Sequence, residues 1–566
     1  MNSDAKWFKY YGDVPHTIDY PDVSMYGLLC ESAGKYPNNT AYDFMGKSVD
    51  YTGFIREVDT CAKALSAIGV KEGDAVTVCL PNIPQAVIAF YAINKLGAIA
   101  SMVHPLSAEN EIMFYLNEAQ SKVAITLTRF FDKFEAIKGK TRVEKLIACK
   151  IEEGLPSFKG FMYKFIGHEP KVKNLPWVVS WTDFMLGSAN STCEITDSGK
   201  GSDSAVILFS GGTTGTSKGI LLSNLNFNAL ALQTAAAAGC FAPGDIMLSV
   251  MPVFHGFGLG VGIHTMLASG GQCVLIPQIE IDKFASYFKK YRPNYMAGVP
   301  TLFEAMMRNE DMKNADLSCL KGVFSGGDFL SVELKKKVDS FIKERGATIQ
   351  VREGYGTTEC VTASCLTPIG YYREGSIGIP FPDTFYKIVI PSTNEEAPEK
   401  QMGEICIAGP TVMQGYINNP KETSQTLRVH DDGVTYLHTG DLGYMDEDGF
   451  IYFVQRLKRM IITSGYNVYP SQIENVIDSH EAVAFSTVIG VKDDYRMQRV
   501  KAYIVLKPGF SPTDEIKASI KAHCEKSIAK YALPREYEYR DDLPKTLVGK
   551  VAYRELEKES EEKELV

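Results

Sequence analysis

The chain has 566 residues, 45% hydrophobic and 22% charged, with a formal net charge of -9. This ordinary globular composition excludes a mostly disordered, collagen-like or disulfide-knotted protein. The balance of 59 Lys+Arg against 68 Asp+Glu argues against general nucleic-acid binding, which needs phosphate-neutralising cations, so no nucleic acid is expected as a partner. Domains usually run about 100–200 residues, so roughly three to five cores, or fewer large ones, are expected.

In chain order, the opening MNSDAKWFKYYGDVPHTIDYP has no apolar signal core, and neither secretion nor membrane insertion is expected. DAVTVCL reads as a strand, PQAVIAFYAINKLGA as a helix and IASMVHP as a second strand. The apolar stretch from Ala86 to Val103 is interrupted by Asn94 and Lys95. A span needs about 20 predominantly apolar residues, so a buried helix and strand fit better. Twelve cysteines are scattered with no CxxC pair and no Cys/His cluster at zinc spacing. Reduced buried thiols in a cytoplasmic protein are expected, and a structural metal site is not.

Glu152 to Asp203 is rich in Gly, Pro, Lys and Ser and reads as a surface excursion before a core strand at Ser204–Ser210. Within it, Phe158, Phe161 and Phe165 recur at helical spacing among Lys159, Lys164, Lys171 and Lys173. Such a basic aromatic helix can lie in a membrane interface, which would make the protein weakly peripheral. A loop packing its aromatics on its own domain is the preferred reading.

Next comes Ile207-Leu-Phe-Ser-Gly-Gly-Thr-Thr-Gly-Thr-Ser-Lys-Gly219, an apolar strand feeding a loop and then a helix from Asn224. Gly211, Gly212 and Gly215 let backbone N–H groups turn toward an anion. Ser210, Thr213, Thr214, Thr216 and Lys218 supply further donors. Lys218 lies three residues beyond Gly215, so this is not the GxxxxGK[ST] nucleotide loop. A phosphate-binding loop of another kind is expected.

GDLGYMDEDGFIYFV then reads as strand, turn and strand. A boundary falls near Val454–Arg459, after which MIITSGYNVYPSQIENVI begins a hairpin followed by a helix. The remaining segments, AVAFSTVIGV, KAYIVL and a helix from Thr513 to Lys530, suit a small α+β domain. The closing ELEKESEEKELV reads as a solvated helix end or frayed tail.

The SGGTTGTSKG loop resembles the phosphate loop of the adenylate-forming superfamily of acyl-CoA synthetases, adenylation domains and luciferases. Further motifs of that family follow in order: MPVFHGFG (251–258), FSGGDFL (324–330), EGYGTTE (353–359), YLHTGD (436–441), QRLKRMIITSGYNVYPSQIE (455–474) and PKTLVGK (544–550). They cover Ile207 to Lys550. The resemblance implies an α/β fold, with a large N-terminal body of covered sheets (1–457) and a small mobile α+β C-terminal domain (458–566). It also implies two half-reactions. A carboxylate attacks the α-phosphate of ATP, giving an acyl-adenylate and pyrophosphate; the thiol of coenzyme A then displaces AMP.

By the same resemblance, Tyr355 lies against adenine within Glu353, Gly354 and Gly356, and Gly326 and Gly327 border the nucleotide. Thr357 falls near the α-phosphate, and Glu359 with Thr214 faces Mg2+. Asp441 takes the ribose hydroxyls, and Arg456 contacts ribose and phosphate. Lys550 bridges the carboxylate and the α-phosphate as a point charge, Lys545 being the competing candidate. Lys458 is the hinge, and Gln455 stands where Asp or Gly is commoner. After domain rotation the Ser464–Pro470 segment, with Gly465 and Tyr466, helps to form the thiol tunnel.

The acid is read from the pocket. By the same resemblance MPVFHGFG marks the acyl-pocket entrance with Phe254 and His255; His255 stands where amino-acid-activating relatives carry an Asp and is expected to act in catalysis by flanking the substrate carboxylate or gating the pocket. Its walls are expected from Tyr295–Pro300, including Gly298 and Val299, from Phe324–Gly327, including Ser325, and from Thr362–Ser364. Small residues at Ala297, Gly298, Gly326 and Gly327 are expected to leave room for a medium- or long-chain fatty acid. An aryl acid, a separate carrier protein as acceptor, and a silent ligand-binding scaffold are the alternatives. Oligomeric state is left open.

Overall fold

The computed structural model describes residues 5–156, 173, 175–188, 194–210, 217–239, 241–463, 466–493, 496–545 and 551–564. Phe158, Phe161, Phe165, Lys159, Lys164 and Lys171 lie outside the described residues. So do Gly211, Gly212, Thr213, Thr214, Gly215, Thr216, Ser464, Gly465, Lys550 and the side chain of Tyr466. The architecture is α/β: an eight-stranded sheet, a nine-stranded sheet and two five-stranded sheets, with helices packed between and over them.

The apolar runs that read as strands form the middle of the eight-stranded sheet. Ala75–Cys79 lies between Ile99–Met102 and Val123–Leu127, all parallel. Ser204–Ser210 joins the parallel set beside Ile99–Met102 and then turns back antiparallel into Lys218–Ser223. Helix Pro84–Lys95 is mostly apolar around its circumference and is buried from Pro84 to Asn94. Its buried Asn94 is satisfied, accepting from the Tyr26 N–H at 2.9 Å and donating to Asn224 at 2.7 Å. The surface excursion between Glu152 and Asp203 is more structured than its composition suggests. Val178–Ser180 adds an edge strand parallel to Lys145–Cys149, and Trp181 and Phe184 of helix Trp181–Gly187 are buried.

The nine-stranded sheet carries Val351–Tyr355, Gly322–Ser325, Tyr295–Gly298 and Ile246–Ser249 as successive parallel strands. An antiparallel sheet follows, in which Thr435–Met445 is flanked by Gly403–Ala408, Leu427–Val429 and Ile451–Arg456.

The last sheet draws all five strands from after Met460. Val483–Asp493 and Met497–Leu506 form its long hairpin. Helices Pro470–Asp478 and Asp514–Ser527 cover one face around Ile473, Ile477, Val488, Ile504 and Ile520. The other face corrects the reading of the tail as merely solvated. Tyr553–Glu564 is a helix whose Leu556 is fully buried with Ile489, Val491 and Tyr503. Ser560 on the next turn is buried and 2.7 Å from the Tyr503 hydroxyl. Leu556→Ala is therefore expected to cost about 2–5 kcal/mol through lost burial and a residual cavity. A lowered urea midpoint checks this.

Candidate active site

The carboxyl ends of parallel strands are where open α/β sheets bind ligands. Ser325 and Tyr355 end two such strands and open on a cleft of about 1700 Å³. Ser210 and Lys218 line it from the eight-stranded sheet, and Asp441 and Arg456 from the antiparallel sheet. Phe254, His255, Gly327, Glu353, Gly354, Gly356, Glu359 and Lys458 also face it. From the C-terminal segment come Lys545, Val551 and Tyr553, so the described residues on either side of Lys550 border the same space.

Glycine gives this cleft its shape. A Cβ on Gly356 would lie 1.9 Å from the Thr362 carbonyl oxygen, and one on Gly256 would lie 1.8 Å from that of Val361. Val361 itself has φ 64°, a costly conformation for a β-branched residue. The turn after Tyr355 thus folds back on itself and clasps the loop carrying His255. The close approach expected of Gly356 toward a nucleotide is made first to the protein's own backbone. A Cβ on Gly354 would likewise stand 3.1 Å from the Cys365 carbonyl oxygen.

Charge is arranged in pairs. Asp441 and Arg456 face each other across neighbouring strands, with Arg456 Nε 3.2 Å from Asp441 Oδ1. That carboxylate, outweighing burial, which acts the other way, holds the Arg456 guanidinium above its ordinary pKa. The Tyr355 hydroxyl donates to Asp441 Oδ2 at 2.6 Å. The Tyr416 hydroxyl donates to Glu359 Oε1 at 2.8 Å. Lys218 is ion-paired with Glu422, and its ammonium sits 4.9 Å from the centre of the Tyr416 ring. Burial first, and then the nearby Lys218 charge, lower the pKa of Lys458, while Glu422 opposes the shift. Burial pushes the Glu353 carboxyl up to about 8 against the pull of Lys335, so near neutral pH it mostly retains its proton and can donate.

Several expected residues sit elsewhere. Thr357 is buried and bonded to Cys360, its N–H donating to Sγ at 3.3 Å, while Thr358 takes the position on the wall. Gly298 does not open the pocket: a Cβ there would lie 2.9 Å from Leu302, which packs against it. Val299 is buried and, like Gly298 and Ala297, lines neither the cleft nor the apolar cavity behind it. That cavity, about 40 Å³, runs past Ser325, Gly326, Gly327, Phe257, Phe324 and Thr362. Gln455 is buried, and neither amide atom has a hydrogen-bond partner among the described residues.

Tyr416, Glu422 and His104 escaped the sequence reading. Gly415–Tyr416 reaches the site by pairing with Lys218–Ser223, a long-range contact with no local signature. His104 closes the cleft with its ring 4.1 Å from that of Phe254. Its only local signal is its position at the end of a buried parallel strand.

The family described as AMP-binding enzyme matches residues 29–417, and the AMP-binding enzyme C-terminal domain matches residues 472–550. A long-chain-fatty-acid–CoA ligase of Bacillus subtilis (strain 168) is 34% identical, covering 99% of this chain and 99% of its own. A ligase of the same description from Salmonella typhimurium is 32% identical over 98% of this chain and 97% of its own. Among solved structures, the ATP-bound RpMatB-BxBclM chimera B1 superposes with a TM-score of 0.83 at 26% identity, covering 95% of this chain and 99% of that one.

Proposed function

Since the chain belongs to the AMP-binding enzyme family, we propose that it is an AMP-forming acid–thiol ligase that converts a medium- or long-chain fatty acid to its acyl-CoA. The observation carrying this reading is the convergence of Lys218, Glu359, Asp441 and Arg456 on one cleft, bordered by the neighbours of Lys550. A fatty carboxylate and a triphosphate repel each other. A site that joins them must hold cations and donors where charge builds in the transition state.

In this proposal the loop from Ser210 to Lys218 receives the phosphates, and Asp441, held by Tyr355 and Arg456, accepts the ribose hydroxyls. Lys550 steadies the carboxylate oxygen as it attacks, and pyrophosphate leaves. A small C-terminal domain, hinged at Lys458, then rotates. The Ser464–Pro470 segment replaces Lys550, and the thiolate of coenzyme A displaces AMP. Glu359 offers hard carboxylate oxygen beside a hydroxyl, a donor set that fits Mg2+, with Thr214 as the second proposed ligand. A bound Mg2+ would offset charge on the phosphate oxygens.

His255 in place of an acidic residue disfavours an α-amino acid, and the apolar wall of Phe257, Val261, Phe324 and Leu366 favours a hydrocarbon tail. A long chain must displace side chains to lengthen the 40 Å³ cavity. That shallowness favours an aryl acid as the second reading. A panel of acetate, octanoate, palmitate and benzoate, scored by pyrophosphate release, distinguishes them. Octanoate or palmitate should give the highest kcat/KM, with sustained AMP release only when coenzyme A is present. Preference for benzoate would install the aryl reading. Pyrophosphate exchange without turnover of coenzyme A would point to a carrier protein.

A further inference from the structure

The antiparallel sheet holds a second cluster of ligating side chains that the proposed reaction does not use. Cys406 and His438 are direct partners across Gly403–Ala408 and Thr435–Met445. His430 closes the hairpin from Leu427–Val429 into Thr435–Met445, its N–H donating to the Val434 carbonyl at 3.0 Å. All three residues are buried, and one ligand atom from each lies within 4.8 Å of the others. The two imidazoles meet nitrogen to nitrogen, Nε2 to Nε2, at 3.0 Å.

Two imidazoles facing each other across such a gap can share one proton or one cation. His438 is set up for the cation. Its Nδ1 lies 2.9 Å from Glu404 Oε2, which places the proton on Nδ1 and aims the Nε2 lone pair at His430. Glu404 is itself fixed, since its Oε1 accepts the Gly440 N–H at 2.9 Å. A carboxylate holding the far nitrogen of an imidazole is the arrangement that orients histidine ligands on metals. His430 is 4% exposed, and its Nδ1 has no hydrogen-bond partner among the described residues.

We propose that Cys406, His430 and His438 bind a zinc-class divalent cation, with Glu404 orienting His438. Metal–nitrogen bonds of about 2.0–2.1 Å and a metal–sulfur bond of about 2.3 Å put neighbouring ligand atoms roughly 3.3–3.7 Å apart in a tetrahedron. The observed spread needs side-chain adjustments of about an ångström, leaving the fourth position to water. Two nitrogens and one sulfur suit zinc or cobalt and are poorly matched to Mg2+ or Ca2+, which take oxygen. The site is therefore chemically distinct from the one at Glu359. Sequence spacing did not reveal it because the ligands belong to separate segments, with His430 and His438 eight residues apart. The same strand continues from His438 to Asp441, so a cation here would stiffen the turn that presents the ribose-binding carboxylate.

The test strips the full-length protein with a chelator and titrates it with Co2+ alone, without ATP or Mg2+. Thiolate-to-cobalt charge-transfer absorption is the readout. One Co2+ per chain is expected, displaced by one Zn2+. Cys406→Ser should abolish the band, and His430→Gln should weaken binding at least about tenfold. Zn2+ should raise the melting temperature of the wild type and of neither variant. Circular dichroism shows whether each variant folds. If Cys406→Ser does not, His430→Gln carries the comparison. Absence of a thiolate band in the wild type, or the same band and affinity in a folded variant, overturns the proposal.

Discussion

Replacing Lys550 with alanine is expected to lower acid-dependent exchange of pyrophosphate into ATP by on the order of 10²–10³-fold, the range for losing one preorganised charge-stabilising donor. The same variant, given preformed acyl-adenylate and coenzyme A, should make thioester at close to the wild-type rate. The asymmetry follows from where charge develops. In the proposed first half-reaction a carboxylate oxygen and an α-phosphate approach, and a compact ammonium between them would offset both. In the second half the attacking group is a thiolate and the leaving group is AMP. If the C-terminal domain has rotated by then, Lys550 is elsewhere. Lys545 serves as the internal control. It lies 3.2 Å from Asp542 and so already has a carboxylate partner, and Lys545→Ala should leave exchange within a few-fold of normal. Equal loss of both halves in Lys550→Ala would sink the rotation account, because one fixed arrangement would then serve both steps. A larger loss in Lys545→Ala than in Lys550→Ala would exchange their roles.

Much of the fold could be read locally. The strands at Ala75–Cys79 and Ser204–Ser210, helix Asn224–Ala238 and hairpin Thr435–Met445/Ile451–Arg456 fall where apolar periodicity and turn residues place them. These segments carry their instructions in their own side chains. Features that depend on distant partners were not readable. Tyr416 and Glu422 acquire meaning only because Gly415–Tyr416 pairs with Lys218–Ser223. Leu556 sits in a strongly polar run, yet one leucine per few turns is enough to seat a helix on a sheet that offers Ile489 and Val491. The small residues at Ala297 and Gly298 suggested empty space, but a glycine shows only that no side chain starts there. Leu302 and Phe303 fill the volume. Motif position brought most of the described candidate residues to one cleft, but it did not separate Thr357 from Thr358. The backbone fold of that turn decides which faces the cleft.

Gly356→Ala is expected to be among the most damaging single-methyl changes near the cleft. The added Cβ would stand 1.9 Å from the Thr362 carbonyl oxygen and 2.6 Å from its carbonyl carbon, contacts that no side-chain rotation relieves because both atoms are backbone. The 356–362 turn must therefore open. The Thr362 segment is tied to Val361, whose φ of 64° is already strained, and its carbonyl lies against Gly256 beside His255. Opening the turn shifts Tyr355 away from Asp441 and Glu359 away from Tyr416, disturbing the proposed ribose and Mg2+ contacts through one atom. Overpacking of this kind costs about 1–3 kcal/mol or more in stability, and misplacement of reacting groups by about 1 Å can cost roughly 10²-fold in rate. The expected result is a kcat/KM for ATP reduced about 10²-fold in a protein that still melts cooperatively. Gly34→Ala supplies the contrast: it lies within helix Met25–Lys35, and its Cβ would meet nothing within 4 Å. Because Gly34 lies in the last turn of the helix, that change should raise stability by no more than about 0.5 kcal/mol and leave turnover untouched. Wild-type kinetics in Gly356→Ala would mean that the turn relaxes freely, and that its glycine serves an incoming nucleotide and not the chain's own backbone.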